Sequence, residues 1–135
     1  MKISIITVSY NAAATIEETM QSVFHQSYGN IEYVIIDGGS SDGTLEIVER
    51  YSDKIAHYVS EPDGGIYFGM NKGIAACSGD YIGILNADDV YASKEVLSEV
   101  AELLKASSAD TLYGDLEYVA EDNLQKVVRK WVSGN

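Results

Sequence analysis

The chain has 135 residues, 46% apolar and 22% charged, the balance of one globular domain rather than of a disordered tail, a fibre or a linker. Nine Lys and Arg stand against 21 Asp and Glu, a formal charge of −12. Such a chain repels polyanions, so nucleic acid is not an expected partner, and an anionic ligand would need a local cation or backbone donors.

The single cysteine, Cys77, rules out an intrachain disulfide and fits a reducing compartment. No apolar run approaches the roughly 20 residues of a membrane-spanning helix. Met1 to Val8 begins like a strand rather than a leader peptide. A cytoplasmic protein is expected, with peripheral association at the inner face of the membrane left open.

In chain order, Ile3 to Val8 is the first strand-like run. Ile16, Met20, Val23 and Phe24 fall at i, i+4, i+7 and i+8, which predicts a helix from Ala12 to about Gln26 with Asn11 as N-cap. Ile31 to Ile36 reads as a second strand, and its unbroken apolar stretch suits a sheet covered on both faces. Asp42 is placed to cap a helix from Thr44 to about Tyr51, with Leu45, Val48 and Tyr51 inward. Ile55 to Val59 predicts a weaker third strand. Ile66, Met70, Ile74 and Cys77 mark the inward face of a third helix, and Tyr81 to Leu85 a fourth strand. Ser93 is read as the cap of a helix with Val96, Leu97, Val100 and Leu104 inward. Beyond Thr111, Leu116 and Tyr118 alternate with polar residues, Glu121-Asp122-Asn123 reads as a turn, and Val127 to Val132 is apolar again, which predicts a hairpin. Strands and helices alternating through short loops predict an α/β fold: one domain over 1–135, a mostly parallel sheet flanked by helices on both faces, and a C-terminal β-hairpin.

Ligands of open α/β sheets bind outside the carboxyl ends of the strands. The four strands end in Ser9-Tyr10-Asn11, in Asp37-Gly38-Gly39-Ser40-Ser41-Asp42-Gly43, in Glu61-Pro62-Asp63-Gly64-Gly65 and in Asn86-Ala87-Asp88-Asp89. Two adjacent carboxylates, Asp88 and Asp89, repel one another, and Mg²⁺ or Mn²⁺ shared with substrate phosphates would relieve that repulsion. A turn or helix-capping pair is the plainer alternative. Asp37 could accept a hydrogen bond from a base or ribose, or stabilise its own turn. Tyr10 offers a flat face for stacking on a base. Lys72 could reach a phosphate or simply lie in solvent. The chain contains no G-x-G-x-x-G, P-loop, G-x-S-x-G or H-E-x-x-H motif.

Five ordered blocks carry a resemblance. They are Ser4-Ile5-Ile6-Thr7-Val8-Ser9-Tyr10-Asn11, Val34-Ile35-Ile36-Asp37-Gly38-Gly39-Ser40-Ser41-Asp42-Gly43-Thr44, Glu61-Pro62-Asp63-Gly64-Gly65-Ile66-Tyr67, Met70-Asn71-Lys72-Gly73-Ile74 and Gly79-Asp80-Tyr81-Ile82-Gly83-Ile84-Leu85-Asn86-Ala87-Asp88-Asp89. Together they resemble the opening of a family 2 glycosyltransferase with the GT-A fold, over about Lys2 to Tyr118.

The resemblance implies a nucleotide-diphosphate-sugar donor, a UDP-sugar foremost, and Mn²⁺ or Mg²⁺. It implies that Tyr10 and Asp37 contact the nucleotide base, that Val8 contributes backbone and that Asp63 lies beside the donor pocket. Asp88 would sit near the ribose, and Asp89, with Asp88, would hold the metal. Asn86 departs from the D-x-D form at its first position. The family transfers sugar with inversion to a glycan, lipid or other hydroxyl acceptor, as in cell-wall or polysaccharide assembly. Its catalytic base comes from a later segment, expected beyond Asn135, so no catalytic residue is assigned. The chain reads as the N-terminal nucleotide-binding part of a longer enzyme, with self-association left open. The alternatives are a non-catalytic nucleotide-sugar-binding fragment and a degenerate structural domain.

Overall fold

The computed structural model describes residues 1–112, 116–120 and 123–131. The chain divides into two compact units, Met1–Glu99 and Val100–Asn135. In the first, β1 (Ile3–Ser9), β2 (Ile31–Asp37), β3 (His57–Ser60) and β4 (Tyr81–Ile84) form one sheet in the order β3-β2-β1-β4. Every pair in it is parallel: Ser9 lies opposite Asp37, Asp37 opposite Ser60, and Ile6 opposite Ile84. All four carboxyl ends therefore emerge on one edge. All seven residues of β1 and the last five of β2 are buried, as central strands between helical layers require.

Right-handed crossovers decide which face each helix takes. The path moves from β1 to β2 to β3 in one direction and then doubles back past β1 to β4. So α1 (Ile16–Phe24) and α2 (Thr44–Glu49) share one face and α3 (Ile66–Ala76) takes the other. The contacts agree. Ile6, Val8, Val34 and Ile36 form a buried cluster with Met70, Ala76 and Cys77 packed against it. On the opposite face the Thr7 and Tyr33 hydroxyls lie 2.7 Å apart, and the Tyr33 ring meets Phe24 edge-on at 5.7 Å. Phe24 in turn packs against Tyr51 at 5.6 Å. The strand order reverses between β1 and β4, the place where open α/β sheets form a ligand crevice.

Three local readings change. The first helix begins at Ile16, not Ala12, and Asn11 does not cap it. Asn11 sits at φ 48, and its Oδ1 accepts from the Ser41 N–H across the neighbouring loop at 2.9 Å. The N-cap of α2 is Gly43, not Asp42; Asp42 Oδ1 instead accepts from the Thr44 N–H at 3.1 Å and the Thr44 hydroxyl at 2.6 Å, just outside the helix. On α3, Met70 and Cys77 of the apolar stripe pack on the core, but Ile66 and Ile74 do not. Ile66 and Ile74 are 44% and 46% exposed, while Gly69 and Gly73 are buried. A Cβ on Gly73 would lie 2.6 Å from Ile6 Cγ2, and one on Gly69 2.8 Å from Val8 Cγ1. The helix lies so close to β1 that only glycine fits beneath it.

The last helix, α4 (Val96–Ser107), crosses the boundary between the units. Its first turn is tied down by Gln26, whose Oε1 accepts from the Leu97 N–H at 3.0 Å while Nε2 donates to the Ser93 carbonyl at 2.7 Å. The Ser93 hydroxyl accepts from the Glu95 N–H at 3.3 Å. In the second unit β5 (Leu116–Ala120) and β6 (Asn123–Trp131) pair antiparallel, Leu116 opposite Trp131 and Ala120 opposite Asn123. This is the expected hairpin. Glu121, Asp122 and Val132 lie outside the described residues, and Asn123 opens β6. No described helix is long and apolar enough to cross a membrane.

Candidate functional site

A cleft of about 420 Å³ opens at the carboxyl edge of the sheet. The end of β1 supplies Val8, Ser9 and Tyr10, the end of β2 supplies Gly38, and Pro62, Asp63, Gly64, Gly65 and Ile66 form the wall leading into α3. Tyr10 is 67% exposed, so a ring face is open for stacking. Gly38 is the floor, where a Cβ would stand 3.2 Å from Asp63 Oδ1 and 3.4 Å from Tyr10 Cδ1. Gly64 and Gly65 turn the chain into α3 at φ 80 and 130, values that disfavour a side chain.

Asp63 Oδ1 accepts from the Gly65 N–H at 3.0 Å. Its Oδ2 is buried with no hydrogen-bond partner among the described residues. Buried acceptors are seldom left so, and a ligand N–H or O–H reaching this wall would find an unused oxygen.

Asp37 lies beneath the cleft, fully buried. Its Oδ1 accepts from the hydroxyls of Ser9 at 2.7 Å and Ser40 at 2.6 Å. Its Oδ2 accepts from Gly39 N–H at 3.0 Å, Ser40 N–H at 2.7 Å and the Ser60 hydroxyl at 2.9 Å. Burial alone would raise its pKa; the donors, the Ser40 hydroxyl foremost, outweigh burial and hold it below the ordinary carboxylate range. Of the two roles open for Asp37 in the sequence, the geometry displays the loop-stabilising one, and the carboxylate ties the ends of β1, β2 and β3 together.

Asp88 and Asp89 follow β4 on the same edge and are exposed; they do not line the cleft. Leu85 N–H to Ile6 O at 2.8 Å ties the segment to β1, the Thr19 hydroxyl to Ala87 O at 2.9 Å ties it to α1, and Asp89 N–H to Asn86 O at 3.0 Å closes the turn itself. Partial burial and then the charge of Asp88 push the Asp89 carboxyl up. Asn86 Oδ1 is buried without a partner among the described residues. Among these residues no three His, Cys, Asp or Glu side chains converge as a metal group. The Asp88 and Asp89 carboxylates are hard oxygen donors of the kind that suit a divalent cation completing its shell with phosphate or water.

Lys72 already has a carboxylate partner. Its Nζ pairs with Glu61 Oε1 at 2.9 Å. The glycines Gly38, Gly69 and Gly73 and the serines Ser9, Ser40 and Ser60 belong to the site's framework and carry no polarity pattern of their own. The one available signal is the i, i+4 spacing of Gly69 and Gly73, which puts both on one face of α3.

The chain matches the model of Glycosyl transferase family 2 over residues 4–133. It belongs to that family. An uncharacterised glycosyltransferase of Mycobacterium tuberculosis is 39% identical over 103 residues, covering 76% of this chain and 39% of the relative. A PGL/p-HBAD biosynthesis glycosyltransferase of the same species is 32% identical over 117 residues, covering 84% of this chain and 46% of the relative. This family 2 chain thus spans less than half the length of these relatives. The structure of S. aureus TarS 1–349 with UDP-GlcNAc superposes with a TM-score of 0.74 at 29% identity, covering 82% of this chain and 33% of that one. The mannosyltransferase PcManGT from Pyrobaculum calidifontis, in complex with GDP-Man and Mn²⁺, gives 0.71 at 26% identity, covering 87% and 35%. These neighbours are GT-A glycosyltransferases, and the parallel sheet with helices on both faces is the architecture that the motifs imply.

Proposed function

We propose that this chain is the donor-binding part of an inverting, metal-assisted glycosyltransferase. It would move a sugar from a nucleoside diphosphate, a UDP-sugar foremost, to a hydroxyl acceptor, working in the cytoplasm or at the inner face of the membrane. The observation that carries the reading is the placement of an open aromatic face, an unused carboxylate oxygen and a carboxylate pair on one edge of a parallel sheet, beside its point of strand reversal. The UDP-GlcNAc and UDP complexes of TarS and the GDP-Man and Mn²⁺ complex of PcManGT support it.

In this reading Tyr10 stacks on the base, the Val8 backbone borders it, and Asp63 accepts a hydrogen bond from it. Asp37 braces the floor from below. Asp88 lies toward the ribose, and Asp89 with Asp88 would hold Mn²⁺ or Mg²⁺. The cation, when bound, neutralises the diphosphate and steadies it as a leaving group. Inversion needs an acidic residue to take the acceptor's proton, and that base is sought outside the described residues.

Calorimetric titration with UDP-, GDP- and dTDP-sugars, with and without Mn²⁺, tests the reading. Metal-dependent binding lost in Asp89→Ala supports it; no binding of any nucleotide refutes it. Because the chain spans only 39% of a relative, a binding part without turnover is the second reading, and slow donor hydrolysis by the wild type would set it aside.

A further inference from the structure

Tyr10 stands past the last paired residue of β1 and is largely exposed, so something other than the sheet must hold its ring over the cleft. The next residue, Asn11, adopts φ 48, in the left-handed region that asparagine enters more readily than most residues. Its N–H donates to the Ser40 hydroxyl oxygen at 2.7 Å. That hydroxyl spends its only proton on Asp37 Oδ1 at 2.6 Å, and an ionised carboxylate can only accept. The direction of the relay is therefore settled: Asn11 N–H to Ser40 Oγ, Ser40 O–H to buried Asp37.

The rest of the segment is gripped from the same loop. Ala12 N–H donates to Thr44 Oγ1 at 2.9 Å and Ala13 N–H to Asp42 Oδ2 at 3.1 Å. The Asn11 side chain reciprocates through Ser41 N–H. Among the described residues of this loop, Ser40 joins the grip directly to the buried carboxylate, which Ser9 reaches from the β1 side.

We propose that Ser40 is a positioning residue for the nucleotide: it fixes Asn11, and through it the Tyr10 ring, against the cleft. The proposal rests on the donor-binding reading for its effect on affinity. The brace itself is a property of the free chain and is tested separately.

The test uses Ser40→Ala, Ser40→Thr, Tyr10→Ala and the Ser40→Ala/Tyr10→Ala double variant. Each is titrated with UDP and Mn²⁺, and ¹⁵N relaxation is recorded on the free proteins. Ser40→Ala should drop the Tyr10 and Asn11 backbone order parameters from about 0.85 toward 0.6, while those of β1 and β2 hold. It should weaken UDP about tenfold, the effect of one charge-assisted bond. Ser40→Thr, which keeps the hydroxyl, should stay within about threefold of wild type on the same scale. In the Tyr10→Ala background the Ser40 substitution should have no further effect, because its route to the ligand is gone.

Unchanged order parameters at Tyr10 and Asn11 in Ser40→Ala overturn the brace, whatever the nucleotide data show. Additive losses in the double variant overturn the route through Tyr10. If the wild type takes up no UDP, the donor-binding reading fails and with it the assignment of Ser40 to the nucleotide, while the relaxation data still judge the brace.

Discussion

The contact between α3 and β1 makes the sharpest forecast. Gly73→Ala adds one methyl group to a helix, where alanine is ordinarily favoured over glycine by about 1 kcal/mol. Here the new Cβ would meet Ile6 at 2.6 Å from Cγ2, 3.0 Å from Cδ1 and 3.2 Å from Cγ1, against an ordinary carbon–carbon separation of about 3.5–4.0 Å. Ile6 is fully buried among Val8, Val34 and Ile36 and cannot turn away. The helix must lift by about 1 Å, and overpacking of that kind costs about 1–3 kcal/mol. With an overlap this deep the upper part of that range applies, so after the helical gain a net loss of about 1–2 kcal/mol is expected.

Urea unfolding followed by far-UV circular dichroism measures the loss. The exposed neighbour Ala75 provides the calibration: Ala75→Gly should cost about 1 kcal/mol by propensity alone. In an Ile6→Ala background the added methyl enters vacated space, so the double-mutant cycle should show a favourable coupling of about 1 kcal/mol or more. A Gly73→Ala protein as stable as wild type, or more so, would refute the claim that glycine is there for close approach. Lifting α3 also disturbs the cleft wall at 62–66, so UDP affinity should fall in parallel.

Two further expectations follow from the charges. Glu32 is pulled down to about 2 from 4.5, by the Ser78 N–H first, then the Ser4 and Ser78 hydroxyls, with Lys2 adding a little. A carboxyl whose folded pKa lies below its unfolded one contributes full stability above about pH 4.5, and that contribution drains away as pH falls from 4.5 to 2. Glu32→Gln should therefore be less stable than wild type at pH 7 and converge with it near pH 2–3; two urea-derived stability curves that run parallel across this window would contradict the linkage. Lys72 is already paired with Glu61, so Lys72→Met should change UDP affinity by less than about threefold, and a tenfold loss by calorimetry would reassign the lysine to a phosphate.

Residue order alone determined the alternation of strands and helices, the parallel sheet, the hairpin and the edge on which the strand tips Tyr10, Asp37, Asp63, Asp88 and Asp89 gather. Those features follow from apolar periodicity and short loops, which act between near neighbours in the chain. Tertiary structure decided what each tip does. Asp37 is the clearest case: five donors from three segments converge on it, and no spacing along the chain announces Ser9 or Ser60 as its partners. Asn11 is a plausible cap by composition, yet its amide and side chain are claimed by Ser40 and Ser41 of another loop, so α1 starts at Ile16. The α4 start is likewise held by Gln26, 71 positions away from Leu97. On α3 an apolar count favours Ile66 and Ile74, but the strand beneath admits only Gly69 and Gly73. A hydrogen bond or a steric limit set between distant segments leaves no periodic trace in either one, so it comes into being only when the chain has folded.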